Sequence, residues 1–392
     1  MTNLLAKSLI HKGHYRALVP LLLLGWLALQ LAAIGYRSQL LLLIGTLLGL
    51  SLYLSRFSFT GAYRRLLLQR QPAEVIAQLA LVALTCLLFA PLLQRGEFAG
   101  VELSGAWASV GLQVGIGALI FGIGMQLAGG CGSGTLYTAG GGNPRMLLVL
   151  VAFCAGSFWA SLDMTWWQSL PSLGVVSLGH RLGWGEAVAV QLSLLLLLAI
   201  LLFWWGKTAP KGPSLRETNT PMKVAAKLRP LLWGVVLLAL LNLATLITAG
   251  HPWSITWALS LWGAKAAGLM GWTPSVGSFW TAPFQHQALT QSILEDTTSV
   301  MNIGILLGAT TAALLSGGFH PSLKHHPRQW LAALFGGLLL GYGARIAYGC
   351  NIGAFVSGVA STSLHGWLWI LCALPGNWLG IKLRPWFGLS NQ

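Results

Sequence analysis

The chain has very few charged residues for its length. Only 8% of its 392 residues are Asp, Glu, Lys or Arg, whereas soluble domains carry about 25%. This scarcity excludes a water-facing surface over most of the chain, so a lipid bilayer must be its main solvent. Hydrophobic residues make up 55% of the sequence, and apolar stretches of nearly spanning length recur throughout it. Because backbone groups inside a bilayer must bond to each other, the stretches predict an all-α integral membrane protein.

The motifs of several function classes are also missing. The five cysteines form no CxxC pair and share no metal-ligand spacing with the histidines, and Met is sparse at seven, which argues against copper or zinc transport. No nucleotide-binding loop is present, so an ATP-driven pump would need a partner. We therefore expect no resident metal, no cofactor and no catalytic residues.

Positive charge is confined to the connections between apolar stretches, although the net charge is +15. This position is typical of cytoplasmic loops rather than of nucleic-acid binding. The basic connections are the N-terminus and residues 56–70, 207–230 and 320–328. Residues 95–104, 163–185 and 284–297 are poor in Lys and Arg. The asymmetry predicts a multi-pass protein whose N-terminus is cytoplasmic and which has no nucleic-acid partner.

Two segments of the chain repeat each other at a constant offset. GIGMQLAGGCGSGTL (122–136) aligns with GYGARIAYGCNIGAF (341–355) through six identities, and Cys131 and Cys350 are one of the identical pairs. The stretch before Cys131 starts from the Lys/Arg-poor side, while that before Cys350 starts from the basic side. The repeats therefore enter the membrane from opposite faces. Inverted repeats of this kind are a recurring transporter design, in which a site lies near the membrane midplane.

Glycines surround both cysteines and predict broken, half-membrane helices around a central constriction. The flanking residues are Gly130, Gly132 and Gly134 in the first repeat and Gly349, Asn351 and Gly353 in the second. A broken helix presents free N–H groups that can hold an anion, and a thiol adds a weak donor. The alternative is close helix packing, in which cysteine serves only as a small residue.

Polar residues precede both cysteines by the same interval. Gln126 and Arg345 each lie five positions before their cysteine, and a charge inside a membrane stretch is costly enough to suggest a function. Arg345 either attracts a dianion or bridges helices by bonding a carbonyl group. The sequence leaves both interpretations open.

Three motifs resemble the YeeE/YedE family of sulfur-transport membrane proteins over roughly residues 41–385. They are AGGCGSGT around Cys131, YGCNIGA around Cys350 and RFSFTGAYR from Arg56 to Arg64. The resemblance implies thiosulfate uptake through a bacterial inner membrane, along a narrow path in which cysteine thiols hydrogen-bond the ion. Cys131 and Cys350 match two of these relay cysteines, and Ser58 stands where the family has a third.

The resemblance and the charge pattern together divide the chain. We expect an accessory N-terminal helix in residues 1–40, a first repeat in 41–206, a cytoplasmic linker in 207–230 and a second repeat in 231–392. The resemblance also implies a small TusA-like sulfur-carrier protein as a cytoplasmic partner. Two alternatives remain open from the sequence: transport of a selenium species, and a membrane thiol redox protein in which Cys131 and Cys350 form a reversible disulfide.

Overall fold

The structure, a computed structural model, describes residues 2–208 and 221–391, with side-chain surroundings for 15–208 and 229–391. The helices are α1 (Thr2–Ala32), α2 (Tyr36–Ser55), α3 (Phe59–Gln69), α4 (Ala73–Arg95), α5 (Leu112–Ala128), α6 (Gly132–Gly140), α7 (Pro144–Leu162), α8 (Met164–Ser169), α9 (Leu178–Leu182), α10 (Trp184–Lys207), α11 (Pro221–Ala249), α12 (Thr256–Leu269), α13 (Pro283–Thr290), α14 (Thr297–Leu315), α15 (Pro327–Ile346), α16 (Ser357–Ala360) and α17 (Leu364–Leu383). Two antiparallel ribbons pair strands β1 (Glu97–Phe98) with β2 (Val101–Glu102) and β3 (Ser109–Gly111) with β4 (Ser172–Val175).

Helix starts and stops follow local sequence chemistry. Helix α7 begins after Asn143, whose side chain accepts a hydrogen bond from the Arg145 amide, with Pro144 in the first helical position. Helix α14 begins after Asp296, which accepts from the Ser299 amide at 2.7 Å. Such caps satisfy amide groups that the first helical turn leaves unpaired.

Nine helices within the described part of the chain are long and apolar enough to cross a membrane. The protein is therefore a multi-pass, all-α membrane protein, as the composition predicts. Segment 250–297 contributes no helix of spanning length, because α12 has only 14 residues and a span needs about 20. The apolar stretch 255–272 is thus shorter as a helix than its composition suggests.

The predicted linker, 207–230, lies partly outside the described residues, which omit 209–220. Helix α10 ends at Lys207 and α11 begins at Pro221, so the last part of the predicted linker is helical. The division into two repeats and an accessory helix stays a prediction, although α1 does pack into the core through Leu27 and Leu31.

Helices α5 and α15, which carry the repeated segments, pack closely and run antiparallel. A Cβ atom at Gly343 would lie 2.6 Å from the Gly117 carbonyl oxygen, and one at Gly124 would lie 2.7 Å from the Leu340 amide nitrogen. The order of these contacts is opposite along the two helices. Small residues allow this approach, as is common between membrane helices. An antiparallel pair agrees with the prediction of inverted orientation, while the symmetry of the complete halves stays a prediction.

Candidate functional site

Both repeated segments break their helices immediately before the cysteine. Helix α5 ends at Ala128, Gly129 adopts a positive φ of 85°, and Cys131 is the N-cap of the short helix α6. In the second segment α15 ends at Ile346 and Cys350 is the N-cap of a π-helical turn, Asn351–Val356, that leads into α16. The glycine-flanked cysteines therefore lie at helix starts inside the protein.

The two breaks share a tight backbone turn that needs glycine. A Cβ atom at Gly130 would lie 3.1 Å from the Thr135 amide nitrogen, and one at Gly349 would lie 2.8 Å from the Ala354 amide nitrogen. Gly349 also has a positive φ of 155°, a conformation that residues with a Cβ rarely adopt. These two glycines hold corresponding positions in the two segments, so the local geometry repeats with the sequence.

The sulfur atoms are held differently at the two breaks. Cys131 Sγ accepts a hydrogen bond from the Gly134 amide at 3.4 Å and lies 3.4 Å from Ser133 Oγ. For Cys350, the structure shows no corresponding side-chain cap within the described residues. The backbone carbonyl of each cysteine accepts from the amide four residues later, at 2.8 Å in both cases. The Cys131 thiol therefore caps the start of its helix, whereas the Cys350 thiol does not cap the turn that follows it.

The two cysteine segments meet in the protein core. A Cβ atom at Gly132 would lie 3.1 Å from Cys350 Sγ and 3.6 Å from Ile255 Cγ2, so the Cys350 sulfur packs against the residue that follows Cys131. Cys131 is 2% exposed and Cys350 is 0% exposed. The repeated segments predict that these thiols meet at a constriction, and the structure places them in adjacent buried segments.

Asn351 and Tyr63 add polar groups to this centre. The Asn351 side-chain amide donates to the Tyr63 hydroxyl at 3.3 Å, and Asn351 Oδ1 is buried with no hydrogen-bond partner in the described part of the chain. Tyr63 belongs to α3, the helix that follows Ser58. Tyr63 is not among the residues predicted from the sequence, although it stands inside the RFSFTGAYR motif.

Ser58 is the N-cap of α3 and is half-buried. Its hydroxyl accepts from the Gly61 amide at 3.1 Å, and its carbonyl accepts from the Gln78 side chain at 3.2 Å. Ser58 therefore has the same capping role as Cys131, with an oxygen atom in place of sulfur. Its helix reaches the centre through Tyr63, while a direct role for Ser58 in the path stays a prediction.

Gln126 and Arg345 lie at opposite ends of the antiparallel pair and do not meet. Gln126 is buried, and its side-chain amide donates to the Thr60 carbonyl at 3.1 Å and to Asn377 Oδ1 at 2.8 Å. Arg345 stacks its guanidinium over Phe279, 4.8 Å from the ring centroid. Of the two interpretations of Arg345, the carbonyl bridge finds no support in these contacts.

Two cavities lie near opposite ends of α14. One, of about 360 Å³, is lined by residues that include His251, Ser254 and Asp296, and Ser254 Oγ would lie 3.6 Å from a Cβ atom at Gly353. The other, of about 310 Å³, is lined by residues that include Tyr137 of α6. Each cavity therefore borders one of the cysteine segments. In the described residues no group of His, Cys, Asp and Glu is arranged to hold a metal ion.

The fold and the site together define a class: a multi-pass membrane protein with paired, cysteine-capped helix breaks in its core. The sequence profile of the family described as "Sulphur transport" matches residues 54–379, and the chain belongs to this family. The match covers all the candidate residues predicted from the sequence.

Several named proteins are similar to this chain. Thiosulfate transporter TsuA of Spirochaeta thermophila is 29% identical, across 86% of this chain and 96% of that protein. Thiosulfate transporter TsuA of Escherichia coli is 27% identical, across 88% of this chain and 94% of that protein. The similarity to the probable transporter YedE of Escherichia coli, at 29% identity, covers only 34% of this chain and 32% of that protein. The comparisons support neither a selenium transporter nor a thiol redox protein.

Proposed function

We propose that this protein takes up thiosulfate, or a closely related small sulfur anion, across the inner membrane of a bacterium. The observation that carries the proposal is the packing of the Cys350 sulfur against Gly132, beside Cys131, in the buried centre. Full-length similarity to two proteins named as thiosulfate transporters supports the choice of ion. We propose a transporter and no enzymatic step.

The anion would pass between the two helix starts, where donors can replace part of its water shell. The amides of Gly132 and Ser133 lie in the first turn of α6, and those of Asn351 and Ile352 lie in the first turn after Cys350. Amides at such positions have no acceptor within their own helix, and the helix dipole there favours negative charge. Without donors, burial of a dianion would be prohibitively costly.

Neutral thiols suit this passage better than thiolates, because a thiolate would repel a dianion. The Cys131 and Cys350 S–H groups, the adjacent glycines and Asn351 would form the narrowest part of the path. No covalent bond to sulfur is needed. Ser58 and Gln126 would lie toward the basic end of the molecule, and Arg345 toward the other end.

The direct test is uptake of radiolabelled thiosulfate by proteoliposomes that contain only this protein. We expect saturable accumulation that unlabelled thiosulfate inhibits, with none in liposomes carrying the double variant Cys131→Ala/Cys350→Ala. If wild-type protein gave no uptake above empty liposomes, the proposal would be overturned.

Two further parts of the proposal concern the surroundings of the protein. The basic connections favour a cytoplasmic N-terminus, and a TusA-like sulfur-carrier protein is the proposed cytoplasmic acceptor. Co-purification with tagged carrier protein, with the 320–328 connection intact or with its Lys and Arg replaced by Gln, tests the second point. Equal recovery in both cases would argue against docking on this surface.

A further inference from the structure

Three arginine side chains gather at the end of α5, just before the break that precedes Cys131. Arg145 Nη2 donates to the Ala128 carbonyl oxygen at 3.1 Å, and Arg384 Nη1 donates to the Gln126 carbonyl oxygen at 2.5 Å. Both carbonyl groups belong to the last turn of α5, where no helical amide is left to bond them.

Arg64 is the third member of this cluster. It lies on α3 one turn after Thr60, whose carbonyl oxygen accepts from the Gln126 side chain. A helical carbonyl group lies next to the backbone of the residue one turn later, so Arg64 lies close to the same end of α5. The positive charge of Arg64 also acts on Arg384. Burial, together with the neighbouring charges of Arg64 and Arg145, lowers the pKa of Arg384 to about 10.

No carboxylate balances the three charges within the described residues. The one ion pair found there joins Arg65 to Glu74. Arg384 is 7% exposed, and its other donors bond the Ser390 carbonyl and Asn391 Oδ1. Arg64 has neither a hydrogen bond nor an ion pair inside the described chain. Partly buried like charges repel each other unless an anion joins them.

The cluster lies at the basic end of the molecule. Asn143 and Pro144, next to Arg145, line the same cavity as His320 and His325. Near Arg384, the Gly388 carbonyl accepts from the side chain of Gln329 at 3.1 Å. The arginines therefore stand on the side of Cys131 that carries the 320–328 connection.

The C-terminal end of α5 would repel an anion near Cys131. A helix C-terminus carries partial negative charge, and Cys131 follows α5 by three residues. Arg145 and Arg384 donate to the unpaired carbonyl groups there and more than offset this partial charge. Arg64 adds a further positive charge, and its guanidinium can form paired hydrogen bonds with an oxyanion.

We propose that Arg64, Arg145 and Arg384 form a second anion site, at the basic end, which receives the sulfur oxyanion as it leaves the cysteine centre. The proposal rests on the proposed function and adds an anion-binding site at the exit of the path. Arg64 is the residue that contacts the ion directly. Arg145 and Arg384 are positioning residues that bond the end of α5 and add positive charge beside it.

The test compares two membrane preparations, right-side-out and inverted vesicles, for thiosulfate uptake by the Arg64→Gln variant. We expect the half-saturation constant to rise about tenfold when thiosulfate is offered at the basic end, because one charged hydrogen-bonding group is lost. The constant for the opposite face should change less than about twofold. The Arg64→Lys variant should recover only part of the loss, because it keeps the charge but cannot form the paired hydrogen bonds.

The matched control is Lys324→Gln, which removes one exposed positive charge from the same end. If Arg64→Gln matched Lys324→Gln at both faces while wild-type protein transported thiosulfate, the exit site would be refuted and the proposed function would stand. If wild-type protein did not transport at all, the proposed function would fail. The site would then be tested by thiosulfate-dependent stabilisation of purified protein, which Arg64→Gln should lose and Lys324→Gln should keep.

The phosphate of an anionic lipid offers similar chemistry, and vesicle composition separates the two sources. Proteoliposomes made only from phosphatidylcholine should show the same Arg64→Gln defect as those that contain phosphatidylglycerol. A defect confined to phosphatidylglycerol vesicles would mean that the cluster holds a lipid headgroup, and would overturn the proposal.

Discussion

Cys131 and Ser58 each cap the start of a helix, the first through a sulfur atom and the second through an oxygen atom. Each side chain accepts a hydrogen bond from the amide three residues later, at 3.4 Å to Gly134 and 3.1 Å to Gly61 respectively. The chain itself thus shows that a serine fits an N-cap of this kind. Substitution of Cys131 by serine should therefore preserve the helix start.

Replacement of Cys131 separates hydrogen bonding from sulfur chemistry. We expect Cys131→Ser to keep a measurable fraction of thiosulfate uptake, because its hydroxyl can cap Gly134 and donate to the ion. Cys131→Ala should lower uptake about tenfold or more, because both interactions disappear. The half-buried Cys372→Ala variant is the control and should transport normally. Equal, complete loss in the serine and alanine variants would instead favour a disulfide role.

Asn351 offers a second test at the residue scale. Its Oδ1 is buried without a partner, beside Cys350. Asn351→Asp keeps the shape of the side chain but adds negative charge on the proposed path, so we expect uptake to fall at least about tenfold. Tyr63→Phe removes only the hydroxyl that accepts from Asn351, and it should lower uptake far less. If both variants lost the same fraction of thiosulfate uptake, loss of the Asn351–Tyr63 hydrogen bond, and not negative charge on the path, would explain the defect.

At the scale of elements, the helix breaks depend on the close packing of α5 against α15. A Cβ atom at Gly343 would lie 2.6 Å from the Gly117 carbonyl oxygen. Backbone cannot yield as a flexible side chain does, so the added methyl group must separate the helices. The cysteine segments at their ends would separate with them.

We expect Gly343→Ala to destabilise the protein by about 1–3 kcal/mol, the usual cost of overpacking. Thermal unfolding in detergent measures the change, and uptake should fall in parallel. The control is Gly25→Ala on α1, where a Cβ atom would meet nothing within 4 Å. An unchanged unfolding temperature for Gly343→Ala would show that the helices do not pack as closely as the structure indicates.

The breaks themselves were predictable because glycine and cysteine recur with the same spacing. The arginine cluster was not, because Arg64, Arg145 and Arg384 are far apart in sequence and each looks like an ordinary loop charge. Tyr63 was missed for a related reason: its contact with Asn351 joins α3 to the second repeat. Periodicity reports local structure, whereas such long-range contacts depend on how the helices pack.

At the scale of the whole molecule, composition predicted the membrane fold, but it did not predict the helix lengths in segment 250–297. The apolar stretch 255–272 has a suitable composition for a span, yet α12 ends at Leu269. Gly271, with a φ of 92°, and Pro274 follow and stop the helix. Apolar composition therefore did not distinguish a short buried helix from a spanning one.

The orientation of the molecule can be tested with introduced cysteines. Val276 is fully exposed, in the segment that contacts the Arg345 end of α15, whereas Ser322 is exposed in the basic 320–328 connection. We expect a membrane-impermeant maleimide to label Val276→Cys in intact spheroplasts, and Ser322→Cys only after the membrane is opened. The reverse pattern would contradict the predicted cytoplasmic N-terminus.

The burial of both centre thiols has a consequence for the cell that hosts the protein. Cys131 and Cys350 are at most 2% exposed, and the Cys350 sulfur and Ile255 both pack against Gly132. Because both thiols are almost fully buried within the described residues, we expect the resting protein to conduct neither protons nor chloride through this centre. We therefore expect a bacterium that holds many copies of the protein to keep the voltage across its membrane.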